Sequence, residues 1–206
     1  MALIADLNQL GDKEEKERVK LLTKYFKHDD YLVRSKAFAM ACDYPHPDLM
    51  PALTETIHEE QAEEFRLRAI EALQKLGTKE ALAELAKLLK DPNPLIVRGA
   101  VVAIGGISSP EAVRTILEFA SSPQGRIVRS ELVEEAVSFA LQDIADPQEL
   151  LTKLAEENAN IRRYLRNLTF ERPAIPHFKV YPSSDYFALQ AKERGIDYKV
   201  YKYLIG

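Results

Sequence analysis

Few residues in this chain have the types and spacing that chemistry needs. The four histidines, His28, His46, His58 and His177, are dispersed, and His58-Glu59 is the one His-Glu pair. One such dipeptide falls short of the three or four ligands that a metal site requires, so it reads as a solvated helix end and no metal is expected. Cys42 is the single cysteine and follows Ala41 in a stretch rich in small residues, where a thiol serves as a packing group. It also excludes an internal disulfide framework and fits a reducing compartment. Gly105-Gly106 lies late in an apolar stretch rather than in a phosphate-cradling loop, and there it permits close packing or a bend. No nucleophile stands beside a base. The sequence therefore predicts no catalytic residue and no cofactor.

Charge narrows the partners. The 206 residues carry 32 acidic and 28 basic side chains, a net charge of −4. Nucleic-acid binding draws most of its affinity from neutralised phosphates, and no basic excess or stripe is present to supply it. No apolar run approaches the ~20 residues of a membrane span. The N-terminal residues lack the basic segment and apolar core of a secretory signal, so a cytoplasmic location is expected.

The strongest pattern is a period. A bulky apolar residue followed by arginine recurs as Val33-Arg34, Phe65-Arg66, Val97-Arg98, Val128-Arg129 and Ile161-Arg162, with the arginines 32, 32, 31 and 33 residues apart. Polar or Pro/Gly-containing stretches precede each, such as Asp91-Pro92-Asn93-Pro94. After each arginine comes a segment with helical spacing and many small residues. A turn and a leucine-rich helix follow; Leu82, Leu85 and Leu89 share one face of the clearest example. Pro110 and Pro147 suit first helical turns. Asp12 with Glu15 predicts a capping box at the first helix. Each unit is thus helix, turn, helix and loop, and only stacking against neighbours buries its apolar face.

The segment Phe65-Arg-Leu-Arg-Ala-Ile-Glu-Ala-Leu-Gln-Lys-Leu-Gly77, continued by Thr78-Lys-Glu-Ala-Leu-Ala-Glu-Leu-Ala-Lys-Leu-Leu-Lys-Asp-Pro92, resembles the HEAT-repeat family, in particular its short bacterial PBS-lyase HEAT-like type. The resemblance implies an all-α, right-handed α-solenoid of about five HEAT-like helical hairpins over residues 1–168. It implies that the recurring arginines tie adjacent repeats together, and that post-arginine helices line a concave protein-binding face. A non-catalytic scaffold or adaptor is the implied function; the alternative within the family is a bilin lyase subunit or a lyase-associated chaperone for phycobiliproteins. Two further branches do not fit. The metal-dependent hydroxylases need several His-Glu pairs, and the DNA glycosylases need a cationic groove.

Departures from repetition locate the candidate surfaces. Gly99-Ala-Val-Val-Ala-Ile-Gly-Gly-Ile107 carries no polar side chain. Either it is covered on both sides, or its outer positions form an apolar patch, for which Gly99, Val102 and Gly106 are the candidates. Glu131, Glu134 and Glu135, three to four residues apart, predict one acidic ridge. If the two features adjoin, the partner is another protein with an apolar anchor ringed by Lys or Arg. Beyond residue 168 the period stops. Residues 169–206 read as a small irregular α+β capping or docking tail: an extended connector from Thr169, a short helix and two alternating segments, with Tyr198, Tyr201 and Tyr203 as further partner-binding candidates.

Overall fold

A computed structural model describes residues 10–171, with side chains to Asn167. Among these residues the chain forms ten α-helices and short 3-10 turns, and no strand. The helices are α1 (Glu15–Tyr25), α2 (Tyr31–Asp43), α3 (Met50–Glu59), α4 (Glu63–Leu76), α5 (Lys79–Lys87), α6 (Pro94–Gly105), α7 (Pro110–Ala120), α8 (Ser130–Ala140), α9 (Pro147–Glu157) and α10 (Ala159–Glu171). This is the all-α stack of helical hairpins expected from the period. The recurring arginines sit near the start of α2, α4, α6 and α10, and at the residue before α8.

Local sequence sets these boundaries. Asp30, Asn93, Ser109 and Asp146 each accept a hydrogen bond from a first-turn N–H, at 2.8–3.1 Å, satisfying donors that no helical carbonyl reaches. Pro94, Pro110 and Pro147 open their helices, where a missing N–H costs nothing. Gly77 closes α4 with φ of 63°, a left-handed conformation that glycine adopts without strain. The capping box at Asp12 does not form. Asp12 ends a 3-10 turn (Leu10–Asp12), and Glu14, with no side-chain cap, precedes α1. The Arg18 guanidinium instead donates to the carbonyls of Leu10 and Lys13, at 2.9 and 2.8 Å, pinning the turn to the helix.

The chain divides into two compact units, Met1–Leu85 and Ala86–Gly206. In the first, α2 packs on α4 and α3 on α4. Its core holds the stacked rings of Phe26 and Phe38, 4.4 Å apart, with Phe65 5.7 Å beyond. In the second, α6 packs on α8, α7 on α8, and α9 on α10. Like helices of successive hairpins therefore meet, as they must when no hairpin can bury its own apolar face. Helix α10 runs to Glu171, so Thr169, Phe170 and Glu171 are helical rather than the start of an extended connector. The remainder of the tail, with Tyr198, Tyr201 and Tyr203, lies outside the described residues.

Candidate partner-binding surfaces

Three of the five recurring arginines, Arg34, Arg66 and Arg162, are fastened to backbone or to neighbouring side chains. Arg66, on α4, donates from Nε to the Ile57 carbonyl at 2.7 Å, near the end of α3. Arg162, on α10, repeats the arrangement on α9, with Nε 2.8 Å from the Ala155 carbonyl and Nη2 3.0 Å from that of Glu156. Each guanidinium thus caps carbonyls left open where the preceding helix ends, joining one hairpin to the next. Arg34 does this differently: it lies over the Phe65 ring at 4.2 Å and reaches Glu60 at 3.4 Å. These three serve the stack.

The apolar run of α6 that follows Arg98 is covered. Val102 is 7% exposed and Gly99 is buried, as are Val101, Ala103 and Ile104. Of the three positions expected on an open side, only Gly106 reaches the surface, at the end of the helix. The 3-10 turn Leu88–Lys90, α7 and α8 all pack on α6, which accounts for the burial. At Gly105 α6 and α8 approach closely. A Cβ built there would lie 2.7 Å from both Cα and O of Ala136 and 2.8 Å from its Cβ. Of the two adjacent glycines, Gly105 is the packing residue.

Helix α8 is two-faced. Leu132, Val133, Ala136 and Val137 are buried, whereas Glu131 is exposed and Glu134 and Glu135 are half-buried. The three glutamates therefore share the flank opposite the core, with the close contact at Ala136 fixing that helix against α6. Just before α8, Ile127 is 43% exposed, an apolar side chain that periodicity did not single out.

The chemistry-bearing residues take structural places. His58 and Glu59 are exposed at the end of α3. His28 Nδ1 accepts from the Asp30 N–H at 3.0 Å and His46 Nδ1 from the Asp48 N–H at 3.1 Å, each holding a turn. Cys42 is half-buried in α2. Among the described residues no three His, Cys, Asp or Glu side chains converge as a metal-ligand set, and no helix is long and apolar enough to cross a membrane.

Tyr31, Arg114 and Glu157, all in exposed pairs, have shifted pKa values. The Tyr31 hydroxyl donates to the Glu64 carboxylate at 2.6 Å, which raises the phenol above its usual range. Arg114 on α7 donates to Glu157 at the end of α9 at 2.6 Å, holding that carboxyl below the usual glutamate value and raising the guanidinium.

Residues 50–138, from α3 into α8, match the family model described as HEAT repeats. Over that stretch the chain is a HEAT-repeat array, a class whose members generally mediate protein–protein interaction. The match is to the class and does not single out the PBS-lyase-like type. No curated protein matches the chain.

Proposed function

We propose that this protein is a non-catalytic scaffold or adaptor, and that the acidic flank of α8 is one of its partner-binding surfaces. The observation that carries this reading is Glu131, Glu134 and Glu135 on the outward side of a helix whose opposite side is locked into the stack. Three carboxylates held on a rigid helix attract a basic surface at little ordering cost. Exposed Ile127, four residues before Glu131, offers a small apolar contact at the same end of the helix. The partner chemistry that fits is a protein surface with Lys or Arg around a modest apolar centre. A bilin-related role rests on sequence resemblance alone, and no geometry adds to it.

The test is affinity capture with the intact chain and with a variant carrying Glu131→Lys, Glu134→Lys and Glu135→Lys, both checked for helical content by circular dichroism. The reading expects at least one partner of the intact chain to be lost from the variant. Unchanged recovery of every partner removes the α8 flank from the proposal, and no specific partner for the intact chain removes the scaffold reading.

A further inference from the structure

The second unit holds a polar groove that the acidic flank does not include. It is a recess of about 560 Å³ between the end of α7, the 3-10 turn Pro123–Ile127 and the exposed side of α10, lined among others by Arg126, Asn158, Asn160, Arg163, Tyr164 and Asn167. Four of these, Asn160, Arg163, Tyr164 and Asn167, are spaced i, i+3, i+4 and i+7 along α10, so they form a single helical row. The side chains of Arg126, Asn160, Arg163 and Asn167 are exposed.

The position of Arg126 is built rather than incidental. Ser122 donates to the Phe119 carbonyl at 2.6 Å and accepts from the Gly125 N–H at 3.3 Å. A Cβ at Gly125 would come within 2.7 Å of Ala120 Cα, so the turn is pressed against the end of α7 as only glycine permits. Arg126 follows directly. On the other wall, Arg162 turns back to cap α9, which leaves its neighbour Arg163 to face the recess. Among the described residues neither Arg126 nor Arg163 meets a carboxylate. Glu118 also lines the recess, but its carboxylate lies 4.0 Å from Arg114, which is itself bound to Glu157.

From this arrangement we infer that the groove binds an acidic peptide segment of a partner protein. Two guanidiniums that meet no carboxylate among the described residues, each with a planar fork of donors, match carboxylate side chains. Asn160 and Asn167, each with both a donor and an acceptor, match the N–H and C=O of a peptide main chain. Two turns of helix separate those asparagines by about 10.5 Å, the length of roughly three residues of extended chain. The inference rests on the reading of the chain as a protein-binding array, and it adds a surface of opposite charge to that of α8.

The test is fluorescence anisotropy of the full chain with a labelled octapeptide containing four consecutive acidic residues. Parallel titrations use its amide counterpart, with Gln and Asn in place of Glu and Asp, and inorganic phosphate as competitor. Saturable binding of the acidic peptide is expected, with Arg126→Glu and Arg163→Glu each weakening it roughly tenfold or more and Asn160→Ala weakening it less. Because both arginines are exposed and meet no carboxylate among the described residues, these variants should keep the helical content of the parent. Absence of binding at millimolar peptide, equal binding of the amide counterpart, or indifference to both arginine substitutions would each overturn the inference. So would full displacement by equimolar inorganic phosphate, which would make the groove a site for a lone anion. A failed groove alongside a partner still captured by the intact chain, and lost on reversing Glu131, Glu134 and Glu135, leaves the scaffold reading standing.

Discussion

Replacing Gly105 by alanine sets two effects of opposite sign against each other. Alanine is the better helix former by up to about 1 kcal/mol in a helix interior, and less at Gly105, the last residue of α6. The added Cβ, however, would stand 2.7 Å from Ala136 Cα and O, about 0.7 Å inside ordinary contact at 3.4 Å. Those atoms are backbone of α8, so the strain cannot be relieved by a rotamer change; one helix must move. Overpacking of this kind typically costs about 1–3 kcal/mol. The steric effect wins, and Gly105→Ala should destabilise the second unit by about 1–2 kcal/mol. Adjacent Gly106 provides the control. It is exposed, with φ of −76°, which any L residue can adopt, so Gly106→Ala should change stability by less than about 0.5 kcal/mol. Urea unfolding followed by circular dichroism measures both, with the slope of the transition checked for constancy. A midpoint for Gly105→Ala equal to or above that of the parent would refute the close crossing of α6 and α8. Because Ala136 adjoins Glu135, the same substitution should also weaken capture of any partner that uses the acidic flank.

Two further outcomes follow from the ties between hairpins. Arg66→Ala leaves the Ile57 carbonyl without its donor at 2.7 Å and should cost about 1 kcal/mol, below the usual range for charged hydrogen bonds because Arg66 is only half-buried. Arg66→Lys should not restore that loss in urea unfolding, since the donor in use is the guanidinium Nε. The Arg114–Glu157 pair should give a pH-dependent contribution in acid. Its folded carboxyl pKa lies below the ordinary glutamate value of about 4.3, so the stabilisation is complete above that value and disappears as pH falls through the lowered one. Glu157→Gln should flatten this part of the stability–pH profile, and a profile identical to the parent between pH 5 and the acid transition would show that the pair contributes nothing.

What could be read from the sequence was whatever repeats. Five arginines at nearly constant spacing, helix-starting prolines and the residues before them fixed the hairpins, because capping and φ restriction act within a few residues and leave local marks. The acidic flank was legible for the same reason, since residues three and four apart on a helix must share a side. The failures are tertiary. Asp12 and Glu15 have capping-box spacing, but Arg18 reaches back to the Leu10 and Lys13 carbonyls and holds Asp12 inside a 3-10 turn. The apolar run from Gly99 allowed an open or a covered side at Val102, and only the packing of neighbouring elements on α6 decides for covered. In Gly105-Gly106 nothing local says which glycine meets α8.

The polar groove shows where periodic reading stops being informative. The row Asn160, Arg163, Tyr164 and Asn167 has helical spacing that the sequence displays openly, yet a row of polar residues on one helix is ordinarily just a solvated side. Its meaning changes when Arg126, nearly forty residues earlier, is brought to the same recess by a turn that depends on Ser122 and Gly125. That turn is a five-residue 3-10 segment between α7 and α8, longer than the three-residue turn Leu88–Lys90 that precedes α6. In a stack of similar units, repeated residues such as Arg66 and Arg162 hold neighbours together. Arg162 and Arg163 make the division visible in consecutive residues: the one in register with the period caps a helix, and the one out of register faces the groove. Partner recognition in this protein should therefore be sought at the out-of-register positions, and the comparison of Arg163→Glu with Arg162→Ala puts that to the test. The first should weaken peptide binding roughly tenfold or more at constant stability, while the second should lower stability and leave the peptide affinity of the folded fraction unchanged.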